Sequence, residues 1–344
     1  MNEPNVIADH LIQLFRAHFG EGNVQINVLP GAGSDRKYFR LIFENGISAI
    51  GTYNAVPAEN DAFVYLSEHF ISSGQPVPKV YGYDRQNHVY IQEDIGDVAL
   101  FDQINLSDRV SLLDNFKSVI QALPNLQIAG DQGLDYSRCY PSPKFDKQGI
   151  ADDLAYFAVK FVRIITPAFD TALFHSEFDL LSDHLSQAPY YYFMHRDFQS
   201  RNIFYHNNRY YFIDFQGGRK GPLQYDLISL IYQAKADLSP TERQLLKECY
   251  ISALQNHISM NTNTFNRYFD GWLLLRLLQV LGAYGNRGLI EKKPHFVSSI
   301  PLAIANVEYF IKNHDTGLPL KNLYGYLENL KSHFDDYQNS VHRQ

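Results

Sequence analysis

Apolar residues recur at helical spacing over residues 5–19, with Val6, Ile7, His10, Leu11, Leu14, Phe15 and His18 on one side, which predicts an amphipathic helix that packs onto whatever follows. Beyond Gly20 and Gly22 the period changes. Val24 to Leu29 reads as a strand, a glycine-containing loop follows, and two more strands are separated by the turn Glu44-Asn45-Gly46, the third covering Ile47 to Tyr53. A helix is expected over Glu59 to Ile71, with Phe63, Leu66 and Phe70 on its buried side. Gln75 to Gly82 is a proline-stiffened extended approach to a strand at Val89 to Gln92. From Leu100 to about Ser186 the pattern is helical, broken near Cys139 to Pro143. Two apolar runs, Ile203 to Tyr205 and Tyr210 to Ile213, flank the turn signal His206-Asn207-Asn208 and predict a hairpin. Leu227 to Tyr232 opens another helix, and Ser239-Pro240-Thr241-Glu242 is a capping box with proline at the first helical position. Helical spans over about 266–284 and 300–312 precede a polar tail.

Length and charge narrow the class. A chain of 344 residues suggests two domains or one bilobal domain, and a net charge of −7 with 45% apolar residues describes an ordinary soluble protein. No basic surplus argues for nucleic acid, and no basic amphipathic face argues for a membrane surface. The polar start, Met1 to Asn5, is unlike a secretory signal, so a cytoplasmic location is expected. Cys139 and Cys249 have no ligand spacing, which argues against zinc and against a disulfide framework, and both read as buried thiols. The longest apolar stretch, Trp272 to Tyr284, is cut by Arg276 and Gln279 and is too short to span a bilayer.

Candidate chemistry gathers in Met194-His195-Arg196-Asp197-Phe198-Gln199-Ser200-Arg201-Asn202 and, past the hairpin, Ile213-Asp214-Phe215-Gln216. In the phosphoryl-transfer template of kinases an Asp accepts the proton of the acceptor hydroxyl, an Asn five positions on holds one Mg²⁺, and an Asp beyond a hairpin holds the Mg²⁺ ions on the ATP phosphates. Asp197, Asn202 and Asp214 fit those places, with ATP and Mg²⁺ as the implied cofactors. His195 and Arg196 then hold the loop. The expected fold is α+β and bilobal, protein-kinase-like, with a small β-rich lobe over residues 1–95 and a larger helical lobe over 96–344. Gly31, Gly33 and Ser34 occupy the phosphate-covering loop, although Arg36 stands where the full pattern has a third glycine. Gly51 lines up with the phosphate-pairing lysine of the third strand, so Glu59 reads as a helix-start acid and not half of an ion pair. Alternation puts Arg36, Tyr38 and Arg40 on one strand face, where an arginine either supplies the missing charge or is solvated. Glu93 and Asp94 open the hinge expected to offer backbone groups to adenine.

These residues resemble the aminoglycoside/choline phosphotransferase superfamily more than protein kinases. Asp214-Phe215-Gln216 replaces Asp-Phe-Gly, no Ala-Pro-Glu segment follows, and Gly221-Pro222-Leu223-Gln224-Tyr225-Asp226-Leu227 is similar to the Gly-Pro-x-x-Tyr-Asp segment of small-molecule kinases. The resemblance implies that Asp226 braces the catalytic loop. Within the superfamily, Gly33 to Arg40, Glu93 to Asp97, His195 to Asp226 and Arg276 to Gly282 resemble bacterial cell-wall sugar kinases acting on the anomeric hydroxyl of N-acetylmuramate and N-acetylglucosamine, which also lack the third-strand lysine. That implies an amino-sugar substrate and a downstream sugar-1-phosphate nucleotidyltransferase as a functional partner. Where those kinases carry Gln-Arg-His-Leu-Lys, this chain has Leu275-Arg276-Leu277-Leu278-Gln279, a departure that bears on the sugar. Arg276, Gln279 and Tyr284 are candidate donors to it, with a structural ion pair the alternative for Arg276. Other readings are a choline, ethanolamine or aminoglycoside phosphotransferase, for which Asp152-Asp153 is the nearby acidic cluster unless it only caps a helix, and a degenerate nucleotide-binding regulatory module.

Overall fold

The structure, a computed structural model, describes residues 4–31 and 35–341. By compactness the chain divides into two units, one of residues 1–143 and 195–219, the other of residues 144–194 and 220–344. These differ from the expected division at residue 95, which follows the hinge, because residues 96–143 and the hairpin that carries the candidate chemistry both fall in the first unit.

In the first unit, helix α1 (Pro4–Phe19) precedes strands β1 (Val24–Leu29), β2 (Lys37–Phe43) and β3 (Ser48–Tyr53), helix α2 (Pro57–Ser72), and strands β4 (Val80–Asp84) and β5 (Val89–Glu93). The strands form an antiparallel sheet in the order β1-β2-β3-β5-β4. Gly46 adopts a φ of +88° and donates to the Phe43 carbonyl at 2.9 Å, closing the β2–β3 turn in a conformation that favours glycine. Helix α1 buries Ile7, Leu11 and Phe15 against Phe39, Leu41, Ala49, Val89 and Ile91 on one sheet face. Each of these side chains except Ala49 contributes about 1.5–3 kcal/mol by leaving water.

That packing corrects the placement of Gly51. A Cβ on Gly51 would lie 2.8 Å from both Leu11 and Leu41, so its face of β3 is filled by α1, and a side chain there would point into that core. The opposite face carries Tyr38, Thr52 and Tyr90, which pair in register across β2, β3 and β5. A shift of one residue moves a side chain to the other face of a sheet. The third-strand positions flanking Gly51 that face away from α1 are therefore Ile50 and Thr52.

Helices α3 (Leu100–Leu106) and α4 (Arg109–Pro124) follow β5. In the second unit, α5 (Lys147–Phe157) runs through a π turn into α6 (Arg163–Ile165), followed by α7 (His175–Ser186) and strand β6 (Tyr191–Met194). The Asp146 side chain accepts from the Gly149 amide at 3.1 Å and caps α5. Asp152 and Asp153 lie well inside that helix and not at its start, which removes the capping role weighed for them. The hairpin of the first unit is β7 (Ile203–His206) and β8 (Arg209–Phe212). Its Asn207 and Asn208 both take positive φ, 48° and 60°, as a tight two-residue turn requires. Backbone bonds from Tyr205 to the Val98 carbonyl and from Phe212 to the Pro76 carbonyl, both 2.8 Å, tie it to the segments flanking β4 and β5.

The second unit continues with β9 (Arg219–Pro222), paired with β6, then α8 (Leu223–Ile231), α9 (Pro240–Gln255) and α10 (Thr262–Tyr284). The capping box at Ser239 forms as expected, with Glu242 reaching back to the Ser239 amide at 2.7 Å. Helix α10 is buried nearly all round from Tyr268 to Gly282, the behaviour of a helix at the centre of a core. A Cβ on Gly285, just past its end, would lie 2.0 Å from the Lys160 carbonyl, so only glycine permits that approach. Short α11 (Pro294–Val297) and α12 (Ile300–Asn313) follow, and the expected polar tail is instead two helices, α13 (Lys321–Glu328) and α14 (Leu330–Val341). Leu323, Tyr326, Leu327, Leu330 and Phe334 are buried there, an apolar stripe thin enough to read as polar. Cys139 is buried as expected, but Cys249 is only half-buried. Among the described residues no helix is long and apolar enough to cross a membrane.

Candidate active site

The Asn202 side-chain amide bridges the loop between β6 and β7 and the loop after β8. Asn202 donates from Nδ2 to the Asp197 carbonyl at 2.8 Å and lies 3.4 Å from Oδ2 of Asp214. Backbone bonds from Gln199 to Asp197, from Asn202 to Gln199 and from Ile213 to Asn202, at 2.9, 2.8 and 3.0 Å, close the loop on itself. His195 is fully buried and its Nε2 meets the Ile213 carbonyl at 3.0 Å, linking the two loops from behind. Arg196 and Asp214 both adopt left-handed backbone, with φ of 78° and 64°, which costs a non-glycine residue energy and persists where the surroundings impose it.

What imposes it at Asp214 is the residue after it. Phe215 is fully buried, stacked on Phe63 of α2 with centroids 5.0 Å apart and edge-on to Phe70 at 5.5 Å. Phe63 in turn stacks on Tyr90 of β5 at 4.8 Å, so an aromatic row joins the sheet, α2 and the Asp214 turn. Gln216 donates back to Oδ1 of Asp214 at 2.8 Å.

Arg36 completes the cluster. Its guanidinium is 2.6 Å from Glu59 through Nη2 and 2.9 Å from Oδ1 of Asp214 through Nη1, with the side chain only 7% exposed. Glu59 is fixed on its other oxygen by Asn54, which donates at 2.7 Å. Burial is the largest single influence on Arg36 and works against its charge, but Asp214, then Tyr38, Tyr90 and Glu59, together outweigh it and hold the pKa above the ordinary arginine value. Glu59 is thus half of an ion pair, contrary to its reading as a helix-start acid. Its partner lies before the second strand, where a search for a lysine on the third does not look.

The remaining nucleotide-loop candidates separate from this cluster. Arg40 bonds Asp94 at 2.8 Å and Asp97 at 2.6 Å, forming a clasp between β2 and the segment after β5. Glu93 accepts from the Lys79 amide at 3.3 Å, and Asp94 also accepts from the Gly96 amide at 3.0 Å. Gly31 is exposed, while Gly33 and Ser34 lie outside the described residues. In the second unit, Asp226 is fully buried in the first turn of α8. Arg276 of α10 is buried, donates to the Gln279 side chain and lies over the Tyr225 ring at 5.4 Å.

The donor set at Asn202 and Asp214 suits Mg²⁺. That ion takes one or two protein oxygens and fills the rest of its octahedron with water and substrate phosphates. Among the described residues no group of three or more His, Cys, Asp or Glu side chains is placed to hold a metal ion by itself.

A sequence model of the phosphotransferase enzyme family matches residues 29–261. An N-acetylmuramate/N-acetylglucosamine kinase of Neisseria meningitidis serogroup B is 28% identical over 77% of this chain and 79% of its own. Another of that description, from Pseudomonas aeruginosa, is 23% identical over 85% and 86%. Among solved structures, a choline kinase from Cryptosporidium parvum superimposes with a TM-score of 0.62 over 93% of this chain and 99% of its own, at 14% identity. The expected kinase-like α+β fold is therefore the fold of this chain.

Proposed function

Because the chain belongs to the phosphotransferase enzyme family and so acts on an alcohol group, we propose that it moves the γ-phosphoryl group of ATP to the anomeric hydroxyl of an N-acetylated amino sugar. The observation that carries the chemistry is the Asn202 amide, which fixes Asp197 and faces Asp214 at 2.8 and 3.4 Å. Asp197 orients the acceptor hydroxyl and takes its proton. Asn202 and Asp214 hold Mg²⁺, which when bound neutralises charge on the phosphates. Arg36, anchored by Glu59, supplies the positive charge that a third-strand lysine provides elsewhere. His195 and Arg196 set the loop, and bracing is the role proposed for Asp226 on the strength of the family resemblance.

The acceptor rests on the relatives named N-acetylmuramate/N-acetylglucosamine kinase, which align over three quarters or more of the chain. Arg276 and Gln279 are proposed as donors to the sugar, since a neutral or anionic acceptor is recognised by hydrogen-bond donors instead of an acidic cage. The product, a sugar 1-phosphate, suits a nucleotidyltransferase as the next enzyme. A degenerate regulatory module was favoured only by the missing lysine, and the Arg36–Glu59 pair answers that lack. The test is an ADP-release screen of the purified protein with ATP and Mg²⁺ over N-acetylglucosamine, N-acetylmuramate, choline and aminoglycosides. Release stimulated by the N-acetylated sugars alone is expected. Release stimulated only by a cationic acceptor would refute the acceptor and leave the kinase reading intact.

A further inference from the structure

Resting on that reading of the site, we propose that Arg36 is a resident counter-cation of Asp214 that competes with the divalent metal and is handed to the nucleotide phosphates when the metal binds. The two ends of the Arg36 bridge differ. At one end Glu59 is held by Asn54, which itself accepts from the Val56 amide at 3.2 Å and whose carbonyl accepts from buried Asn60 at 2.9 Å. At the other end Asp214 is the more open partner, its side chain 34% exposed against 24% for Glu59. Oδ1 of Asp214 is shared by Arg36 and Gln216, and Oδ2 faces Asn202. Arg36 is thus anchored on Glu59 and exchangeable on Asp214.

A metal ion ligated by Asp214 places a second positive charge beside a guanidinium 2.9 Å from the same carboxylate. Like charges that close repel strongly in a site of reduced dielectric, so the cation that retains another carboxylate gives way. Arg36 retains Glu59. The N–H groups released from Asp214 form a planar fork suited to a phosphate, so an incoming nucleotide offers the displaced guanidinium a new acceptor. Two consequences follow from linkage. Metal alone is opposed by Arg36, whereas metal and nucleotide favour each other, because the nucleotide removes the competitor. Arg36 is a positioning residue in this scheme and takes no proton.

The experiment is a titration with Mn²⁺, followed by electron paramagnetic resonance of the free ion, on the full chain with and without ATP. In the absence of ATP, Arg36→Met should bind Mn²⁺ about tenfold more tightly than wild type, the size of an ordinary coupling between sites. The same variant should bind ATP about tenfold more weakly. Glu59→Gln leaves Asp214 as the one carboxylate for Arg36, so Mn²⁺ alone should bind less tightly than to wild type. Mn²⁺ affinity of Arg36→Met equal to or below wild type would overturn the proposal. If a thermal melt shows that Arg36→Met does not fold, Glu59→Gln decides, with equal or higher Mn²⁺ affinity the contrary result. No acceptor is present, so a wrong sugar leaves these outcomes unchanged. Mn²⁺ bound by no variant, with or without ATP, would refute the kinase reading and this proposal together.

Discussion

Asp197 and Asp214 are linked through the Asn202 amide, yet the proposed reaction gives them different work. Removing the proton acceptor in Asp197→Asn should lower kcat by about 10²–10⁴ and leave nucleotide affinity nearly unchanged. Asp214→Asn should weaken binding of ATP with Mg²⁺. Equal losses of nucleotide affinity in a calorimetric titration of the two variants would contradict this division. The cysteines permit a second test at this scale. Burial pushes the Cys139 thiol up to about 11, with a smaller opposing effect from Arg219. At pH 8 that thiol stays protonated and buried, so iodoacetamide should label half-buried Cys249 first and reach Cys139 only in denaturant. Because the unfolded thiol ionises at lower pH, Cys139 also contributes stability that is lost as pH rises from about 9 toward 11. Peptide mapping that finds Cys139 modified first in native protein would refute this. Asp197, Asn202 and Asp214 were legible because their spacing is local to one loop and one hairpin. The Arg36–Asp214 pair joins positions 178 apart, and nothing in a linear pattern announces it.

The elements reproduce the periodicities with small shifts at their ends, and the errors have identifiable causes. Gly51 was matched to a lysine by counting along a motif, but strand faces alternate, and only the packing of α1 shows which face is closed. Gly51→Lys should therefore destabilise the fold by at least about 1–3 kcal/mol, the cost of overpacking against Leu11 and Leu41, and should not restore ATP binding to Arg36→Met. Restored binding would mean that the Gly51 face of β3 opens onto the nucleotide. The Ser239 box was readable because capping is a four-residue signal, and Ser239→Ala should cost about 1 kcal/mol in urea denaturation. The stack of Phe215 on Phe63 and Phe70 was not readable, since aromatic rings in three separate stretches carry no mark of one another. Its loss in Phe215→Ala should cost about 3–5 kcal/mol and loosen Asp214 as well. Helices α13 and α14 escape the sequence pattern because their five buried positions are spread among a majority of polar residues.

At the scale of the whole molecule, the kinase-like fold and the phosphotransferase family follow from a match covering most of the chain, while solved relatives at low identity speak only to the fold. The acceptor is the claim with most at stake. It depends on relatives at 23–28% identity and on a helix, α10, in which Leu275 to Gln279 departs from the sugar-kinase pattern. Arg276 and Gln279 are bonded to each other inside that helix, an arrangement the sequence offered only as two polar breaks in an apolar run. The most direct measurement is phosphorus-31 NMR of the product formed from N-acetylglucosamine or N-acetylmuramate with ATP and Mg²⁺. A resonance coupled to the anomeric proton, that of a sugar 1-phosphate, is the predicted result, and phosphate on C6 would contradict it.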